Sequence, residues 1–425
     1  MIVYAQALER MLAAARQLAA EACTPAESLG RVLARDVISP MALPSFDHAA
    51  MDGYALHAPE PLAAGSEHAV LGSQAAGDVA RASAGMAWEI MTGAPLPAGL
   101  DAVVAVERTE LLATRDDGTP ARIRLLDPLV AGSNVRYAGS DVARGSSVIP
   151  AGTRIKPAHI MLLAALGVTR VEVVRRPRVA IICTGKELQA DPGRPLADGQ
   201  IHNSNGPYQF AAFADAGAQL LFCDTVDDTA ETYAQALERA RAAGADLIVS
   251  TGAVSMGRYD FVPDTLRACG AALLFHKVAI RPGKPLLAAS LGDQALVVAL
   301  PGTPMAVAVG FRFFIAPVLQ ALAGQGSGPV LHAVLDTPQQ PKPGLRHFLR
   351  ARLHQEADGR LHAKVLGQQQ PFRIQPFAQA DAWVVLPEDA GDCLAGSTVE
   401  IASLQPGWSV SVGGHVEANQ HGTTP

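Results

Sequence analysis

A regular alternation of short apolar strands and helices, beginning at Arg178, constrains the fold of this chain more than any other feature. Consecutive apolar strands joined by helices predict a mostly parallel sheet covered by helices on both faces. In such folds ligands collect at the carboxyl ends of the strands. Strands are predicted at 179–183, 220–222, 247–249, 272–276, 286–289 and 295–300, and helices at 207–217, 229–243, 261–269 and 304–322.

The chain before this region contains two segments that differ in composition. Residues 5–20 are rich in Ala and Leu, and Leu8, Met11, Leu12 and Ala15 share one helical face, which predicts a helix. From about 36 to 175, short Val/Ile runs alternate with Gly and Pro, and Asp116-Asp117-Gly118 separates two strand-like runs as a hairpin turn would. This part is predicted to be β-rich.

The chain after about residue 327 turns β-like again. The runs 348–354 and 361–366 flank Asp358-Gly359, as in a second hairpin. We therefore predict a small C-terminal barrel or sandwich. The fold class is multidomain α/β plus β.

Charge and composition exclude several kinds of protein. The net charge is −6, so little basic surface is available to replace the counterions of a nucleic acid. The five cysteines form no CxxC pair, which argues against a disulfide framework or a structural zinc site. No export signal is visible at Met1, and the apolar stretch from Met305 to Ala323 contains Arg312 and Pro317, which favours a buried helix over a membrane span. A cytoplasmic protein is expected.

Two glycine loops follow predicted strands. They are Thr184-Gly185-Lys186-Glu187-Leu188 and the segment from Ser250 through Gly252 and Ser255 to Gly257, which Asp260 follows. Glycine lets backbone N–H groups approach an anion, and the next helix adds its positive end. A tight βα turn with no ligand explains either loop equally well.

A basic segment and a proline loop complete the candidate anion site. Residues 276–285 contain Lys277, Arg281 and Lys284 and no acid, and the prolines around Gly283 stiffen the turn. Charge-assisted hydrogen bonds from such cations would hold a dianion. The loop from Pro301 to Pro304 lies between a strand and a helix, where Pro also serves as an ordinary helix start.

Acidic residues occur at the same strand exits. Asp224, Asp227 and Asp228 lie at the end of one strand, and Asp260 follows a glycine loop. Carboxylate oxygens together with a substrate phosphate suit Mg²⁺, although each Asp alone could also cap a helix. The sequence has no HExxH, GxSxG, Walker A or GxGxxG motif, so zinc-protease, hydrolase, P-loop and dinucleotide sites lose support.

Several motifs are more specific, and together they resemble the molybdopterin molybdenumtransferases, the family that includes the gephyrin E domain. Residues 44–55 resemble P-x-FDxSAMDGYA, residues 90–97 match IMTGAPxP, and 134–141 resemble N(I/V)RxxGxD. The Thr184 loop, Asp198-Gly199-Gln200-Ile201 with Asn205, the glycine loop and the Pro-Gly-Lys-Pro loop follow in family order over roughly residues 5–415.

The resemblance implies an elongated homodimer of four-part subunits. The implied parts are a linker-like subdomain I (24–48 and 142–177), a β-rich subdomain II (49–141), an α/β molybdopterin-binding domain III (5–23 and 178–326) and a C-terminal β-barrel domain IV (327–415). Domain III would resemble molybdopterin adenylyltransferases. These enzymes and apo-molybdoenzymes would be transient partners, with no nucleic acid and no membrane involved.

The implied reaction converts adenylylated molybdopterin and molybdate, with Mg²⁺, into molybdenum cofactor and AMP. By motif match, Asp52, Thr92 and Asp141 would reach the cleft of the partner subunit. The matched carboxylates would hold the metal and the phosphoanhydride, and the matched loops would bind phosphate or molybdate. The implied metal ligands are Glu187, Asp228 and Asp260, and the implied anion-binding residues are Gly252, Ser255, Lys277, Arg281, Lys284, Pro301 and Pro304.

The chain departs from the family pattern at several positions. The family usually has Asp at Lys186, Gly at Ala253, Lys at Arg281, Asn at Thr303 and a Gln-Gly-Ser stretch where this chain has Gln369-Gln370-Pro371. These departures motivate an alternative, a paralogue that binds or delivers molybdopterin to a client enzyme with weak turnover. A scaffold role lacks support, because no long linker or extra domain is attached.

Overall fold

The structure is a computed structural model, and it describes residues 1–254, 261–292, 295–326, 328–357 and 359–404. Its helices are α1 (Tyr4–Ala14), α2 (Pro157–Ala165), α3 (Asn205–Asp215), α4 (Ala230–Ala242), α5 (Val262–Ala268), α6 (Pro304–Gly310), α7 (Ala316–Leu322) and α8 (Gln375–Ala378). A π-helical segment, Phe311–Ile315, joins α6 to α7, and short 3₁₀ turns lie at Ala26–Ser28 and Val106–Arg108.

The strands follow in chain order. They are β1 (Ala20–Cys23), β2 (Val37–Ile38), β3 (His48–Ala49), β4 (Gly53–Leu56), β5 (Glu67–Gln74), β6 (Ala87–Ile90), β7 (Ala102–Ala105), β8 (Thr109–Thr114), β9 (Pro120–Leu125), β10 (Val135–Arg136), β11 (Ser147–Ile149), β12 (Val171–Val174), β13 (Arg178–Thr184), β14 (Leu188–Gln189), β15 (Ile201–His202), β16 (Gln219–Val226), β17 (Leu247–Thr251), β18 (Ala272–His276), β19 (Ile280–Arg281), β20 (Leu287–Leu291), β21 (Ala295–Leu300), β22 (Leu331–Leu335), β23 (Arg346–Gln355), β24 (Leu361–Val365), β25 (Ala382–Leu386) and β26 (Thr398–Ser403).

The chain forms two compact units. The larger unit comprises Met1–Glu21, Gly30–Ala34 and the chain from Val173 onward, and the smaller unit comprises Ala22–Leu29 and Arg35–Glu172. The four-part division with its boundaries at 24, 49, 142, 178 and 327 is finer than this and stays a prediction.

The predicted α/β sheet lies in the larger unit, in the order β16-β13-β17-β21-β20-β18. Strands β16, β13, β17 and β21 are parallel, and β20 runs antiparallel to both of its neighbours. Side chains of β13 alternate between the two faces, with Ile181 packing in one apolar cluster and Ile182 in the other. Such residues contribute roughly 1.5–3 kcal/mol each on burial. The prediction of a mostly parallel sheet covered on both faces is confirmed.

Two helices differ from expectation. The N-terminal helix α1 ends at Ala14, so the prediction of a helix over 5–20 is wrong beyond that residue. Ala15 takes an extended conformation there, and Leu18 donates its N–H to Leu322 instead of continuing the helix. The predicted helix 304–322 is present but contains the π-helical segment, which widens one turn.

The helical stretch Pro304–Leu322 is long and apolar enough to cross a membrane by length and composition alone. However, 78% of its most apolar window is buried inside the protein. Phe311, Phe314 and Val318 belong to the same apolar cluster as one face of the sheet. This stretch is therefore a core helix of the larger unit, as the sequence predicts.

The C-terminal part of the larger unit is a closed β-barrel. Its ring order is β23-β24-β22-β26-β25, and β25 pairs back onto β23 to close the ring. The short strand β19 pairs with the start of β23, beyond the residues that β24 covers. Leu335, Leu353 and Val384 fill the interior. The barrel alternative of the sequence prediction is confirmed.

The smaller unit is β-rich, as predicted. Its main sheet has the order β7-β4-β6-β5-β9-β8, with Tyr54, Val70 and Ile123 in its core. The predicted hairpin at Asp116-Asp117-Gly118 joins β8 to β9, and Gly118 has a φ of 83°, a left-handed conformation that glycine adopts without strain.

Candidate functional site

The loops singled out in the sequence meet at one edge of the α/β sheet. Strands β13, β17 and β21 are parallel, so the loops after Thr184, Thr251 and Leu300 leave the sheet at the same end. Strand β18 is antiparallel to β20, which is antiparallel to β21. The basic loop after His276 therefore leaves at that end as well. We call this end the carboxyl edge.

Gly252 is required by close backbone packing at the carboxyl edge. Its φ is +97°, and a Cβ there would lie 2.3 Å from the carbonyl oxygen of Thr184. The N–H of Gly252 donates to Leu300 O at 3.1 Å, and Thr184 Oγ1 donates to Thr251 O at 3.3 Å. Three adjacent strand ends are thus tied together, which preorganises the loops that follow them.

The proline loop is held by a side chain that the sequence did not single out for a role. Asn205, buried at the start of α3, donates from Nδ2 to Gly302 O at 2.8 Å. A Cβ on Gly302 would lie 3.8 Å from the Cα of Gly252, so the proline loop lies close to the glycine loop that contains Gly252. A buried Asn at a helix start is the one signal that could have indicated this positioning role.

The barrel also contributes to the carboxyl edge. The N–H of Met305, near the start of α6, donates to Pro371 O at 3.0 Å. Gln369 in the same segment accepts from the Nε of Arg350 and donates to its carbonyl. The departure at Gln369-Gln370-Pro371 therefore keeps a backbone contact with the proline-loop helix.

The basic loop presents three cations that form no ion pair with any residue the structure describes. Lys277 is half-buried, whereas Arg281 and Lys284 are exposed. Among the described residues none of these three forms an ion pair, nor does the exposed Lys186. His276 ties the loop to its neighbour, since its Nε2 lies 2.9 Å from Val254 O. Cations with no ion-pair partner among the described residues form a surface that suits an anion.

The structure describes two of the three candidate metal ligands, Glu187 and Asp228. Glu187 and Asp228 follow the ends of the paired strands β13 and β16, where Thr184 lies in register with Val226. The carboxylate of Glu187 lies over Gly185, where a Cβ would be 2.8 Å from Oε1. Asp228 lines an open depression of about 870 Å³.

These carboxylates fit Mg²⁺ by donor type, because Mg²⁺ prefers oxygen ligands with substrate phosphate completing the shell. The third implied ligand, Asp260, and the anion-binding candidate Ser255 lie outside the described residues. Asp224, grouped with them in the sequence, lies within β16 and pairs with Arg239. The carboxylate of Asp224 is therefore engaged by a cation of the same unit.

In the smaller unit the structure brings Asp52 and Thr92 together. Thr92 donates to Asp52 Oδ1 from its backbone N–H and from its hydroxyl, each at 2.7 Å. These two hydrogen bonds, the backbone one first, hold the pKa of Asp52 below its usual value. Asp52 is fully exposed. It is a charged acceptor facing solvent.

Asp141 lies on a different turn of the smaller unit. Its backbone N–H donates to Leu43 O at 3.0 Å, and its side chain is exposed. Asp47 fixes the neighbouring turn by accepting the N–H of Ala138 at 2.7 Å. No described hydrogen bond or ion pair links Asp141 to Asp52 or Thr92.

Comparison with known proteins agrees with this arrangement. Family models match the chain along most of its length: the MoeA N-terminal region (domains I and II) at residues 2–167, the probable molybdopterin binding domain at 180–321, and the MoeA C-terminal region (domain IV) at 332–404. The described carboxyl edge lies in the part that matches the second model.

Individual relatives align over nearly the whole chain. The molybdopterin molybdenumtransferase of Synechococcus elongatus is 35% identical and covers 94% of this chain and 99% of its own. That of Bacillus subtilis is 33% identical, covering 89% and 88%. The crystal structure of the molybdopterin biosynthesis MoeA protein from Pyrococcus horikoshii is 28% identical, with a TM-score of 0.81 over 96% of this chain and 100% of that one.

Proposed function

Since the chain belongs to the MoeA family, we propose that it is a molybdopterin molybdenumtransferase that inserts molybdenum into molybdopterin. The observation that carries the proposal is the carboxyl edge, where unpaired cations lie next to two glycine loops in the part of the chain that matches the molybdopterin binding domain. We further propose adenylylated molybdopterin and molybdate as substrates, with release of AMP.

The basic loop and the proline loop would bind the anionic groups. Lys277, Arg281 and Lys284 would neutralise phosphate or molybdate, since a charge-assisted hydrogen bond contributes about 1.5–3 kcal/mol. The loop from Pro301 to Pro304 would position the same groups at the start of α6. Ser255 would offer a hydroxyl donor, and Gly252 would let the backbone of its loop approach the anion closely. Holding two anions side by side is catalysis by positioning and charge neutralisation.

Glu187, Asp228 and Asp260 would hold Mg²⁺ through their carboxylate oxygens. The ion would neutralise charge on the phosphoanhydride when it is bound. The carboxylates themselves would orient the adenylyl group through that contact. Lys186, which stands where the family usually has Asp, would add a further cation beside Glu187.

Asp52, Thr92 and Asp141 would act in a homodimer, at the cleft of the partner subunit. The two hydrogen bonds from Thr92 keep Asp52 ionised, so it would serve as an acceptor and not as a proton donor. We propose a cytoplasmic setting, with a molybdopterin adenylyltransferase as the supplier of substrate and apo-molybdoenzymes as recipients of product.

The test mixes purified protein with adenylylated molybdopterin, Mg²⁺ and molybdate, and measures AMP release and reconstitution of an apo-molybdoenzyme. Asp52→Asn is expected to lower AMP release by about a hundredfold or more. Asp117→Asn is the matched control. Asp117 is an equally exposed carboxylate of the smaller unit, and it accepts the N–H and hydroxyl of Thr119 in the same way.

Full activity in both Asp52→Asn and Lys284→Gln would reject the site assignment. The competing proposal is a carrier that binds molybdopterin with little turnover. It rests on Ala253, which stands where the family usually has Gly and takes a left-handed φ of 47°. Tight pterin binding with no molybdate-dependent AMP release, in the presence of Mg²⁺, would select the carrier.

A further inference from the structure

A cluster of metal-ligating side chains lies on the C-terminal barrel, apart from the loops of the carboxyl edge. Asp336, His354 and His362 each offer one ligand atom, and these atoms lie within 4.8 Å of one another. Within the part of the chain that the structure describes, no other group of three His, Cys, Asp or Glu residues comes together in this way. We propose that this cluster binds a divalent transition-metal ion of the Zn²⁺ and Co²⁺ class.

The strand register explains why the three side chains meet. His354 and His362 are direct partners in the antiparallel pair β23–β24, so their side chains project from the same face. Asp336 follows β22 and donates its N–H to Ala363 O. Because Leu335, Leu353 and Ala363 point into the barrel core, the alternation of side chains places the cluster on the outer face.

The separations suit a single small ion. His362 Nδ1 lies 3.0 Å from Asp336 Oδ1, and His354 Nδ1 lies 3.7 Å from Asp336 Oδ2. Ligand atoms bound at 2.0–2.1 Å in a tetrahedral zinc site are about 3.3 Å apart. Two imidazoles and one carboxylate form a ligand set that divalent transition metals prefer, and it leaves coordination positions for water.

The environment of His362 supplies a second observation. This side chain is 10% exposed, and its Nε2 is buried with no hydrogen-bond partner among the described residues. Glu356 Oε2 lies 3.8 Å from that atom. Metal-bound histidines usually donate their other ring N–H to a carboxylate. An ion on Nδ1 would place the proton on Nε2, facing Glu356, and a small movement of that half-exposed side chain would bring its carboxylate within hydrogen-bond distance.

Charge and access also favour a cation. Asp336 and Glu356 contribute two carboxylates, and the His354 and Asp336 side chains are 36% and 21% exposed, so an ion reaches them from solvent. Arg352 and Lys364, which lie opposite each other two residues away, share this face. Arg352 donates its Nε to Gln379 O. These cations oppose binding, so we expect a weaker affinity than the two imidazoles and the carboxylate would give alone.

The experiment titrates the EDTA-treated full-length protein with CoCl₂ and, separately, ZnCl₂. Calorimetry follows binding, and the visible absorption of Co²⁺ reports nitrogen ligands. One equivalent is expected to bind. His354→Gln and Asp336→Asn are expected to weaken binding by about tenfold or more. His332→Gln, an exposed histidine on β22 outside the cluster, is the matched control and should leave the affinity unchanged.

The melting temperature without metal establishes that each variant folds. His354 is the most exposed of the three ligands, so its replacement leaves the core intact. With ZnCl₂ the melting temperature of the unmodified protein should rise and that of His354→Gln should not, because only binding to the folded state stabilises it.

The proposal is overturned if Co²⁺ shows no ligand-field spectrum, or if His354→Gln binds either ion as tightly as the unmodified protein. No molybdopterin is needed, so this outcome is independent of the proposed reaction.

Discussion

The two ends of the α/β sheet use charge in opposite ways. At the amino end, Asp246 precedes β17, is only 10% exposed, and accepts two hydrogen bonds from the Arg175 guanidinium at 2.6 and 2.7 Å. At the carboxyl edge, Arg281 and Lys284 are exposed and form no ion pair among the described residues. Charge at the amino end is satisfied within the protein and stabilises it. Charge at the carboxyl edge is left available for a ligand.

The largest effect is expected at Gly252, where the carboxyl edge depends on backbone packing and not on charge. Gly252→Ala places a Cβ against Thr184 at a positive φ. We expect it to lower the free energy of unfolding by about 2–4 kcal/mol, from backbone strain and overpacking together. Urea denaturation measures this. Gly270→Ala is the matched control, since Gly270 also has a positive φ but no atom within 4 Å of its Cβ position. Gly270→Ala should lower the free energy of unfolding by about half as much as Gly252→Ala, or less.

A direct test of the comparison replaces one charge at each end. Asp246→Asn should lower the free energy of unfolding by about 1–3 kcal/mol, because it leaves the partly buried Arg175 without its charged partner. Lys284→Gln should change it by less than about 0.5 kcal/mol and should weaken binding of an anion instead. Equal losses of stability from the two variants would remove the distinction between the ends.

Ala253 provides a smaller test at the carboxyl edge. At its left-handed φ of 47°, a non-glycine residue loses roughly 1 kcal/mol of stability. Glycine would avoid this strain but loses more chain entropy on folding, so only part of that energy would be recovered. Ala253→Gly is therefore expected to stabilise the protein by roughly 0.5 kcal/mol in urea denaturation. Ala243→Gly, at a right-handed position with a φ of −76°, should instead destabilise it. A loss of stability in Ala253→Gly would contradict the interpretation that the backbone at Ala253 is strained.

The smallest expected effect is a shift in the pKa of Asp52, whose carboxylate accepts hydrogen bonds from the neutral Thr92 and forms no ion pair among the described residues. Thr92→Ala removes the hydroxyl but keeps the backbone N–H, so the pKa of Asp52 should rise while staying below its usual value. Because the folded pKa is lowered, the contribution of Asp52 to stability is present above the unfolded value of 3.8 and is lost as the pH falls through the folded value. Carboxyl NMR titration measures the shift. The assignment would be contradicted if the pKa of Asp52 were unchanged in Thr92→Ala. It would also be contradicted if Thr119→Ala, whose hydroxyl contacts Asp117, shifted the pKa of Asp52 equally.

Much of the α/β sheet and its loops could be predicted because apolar strands and Gly or Pro turns are local signals. The strands at 179–183 and 247–249 and the loops at Gly252 and Pro301 follow directly from such runs. The hairpin at Gly118 follows from turn chemistry alone. Periodicity was less reliable at helix ends. Ala15 continues the apolar pattern of α1, yet tertiary hydrogen bonding ends the helix at Ala14.

Contacts between residues far apart in sequence could not be predicted in this way. The bond from Asn205 to Gly302 joins residues 97 apart, and that from Thr92 to Asp52 joins residues 40 apart. The cluster of Asp336, His354 and His362 depends on the pairing of three strands. No spacing rule for metal sites describes it, because its members are brought together by strand register and not by a motif.

The closed ring of the barrel has a consequence for how the molecule associates with others. Strand edges that lack a neighbour offer unpaired N–H and C=O groups to a second polypeptide. Here β25 returns to β23 and closes the ring of described strands, and β19 pairs with the first two residues of β23. A protein that docks on this domain must therefore recognise side chains on its outer wall or the loops at its rims. Extension of the sheet by an added strand is not available to it.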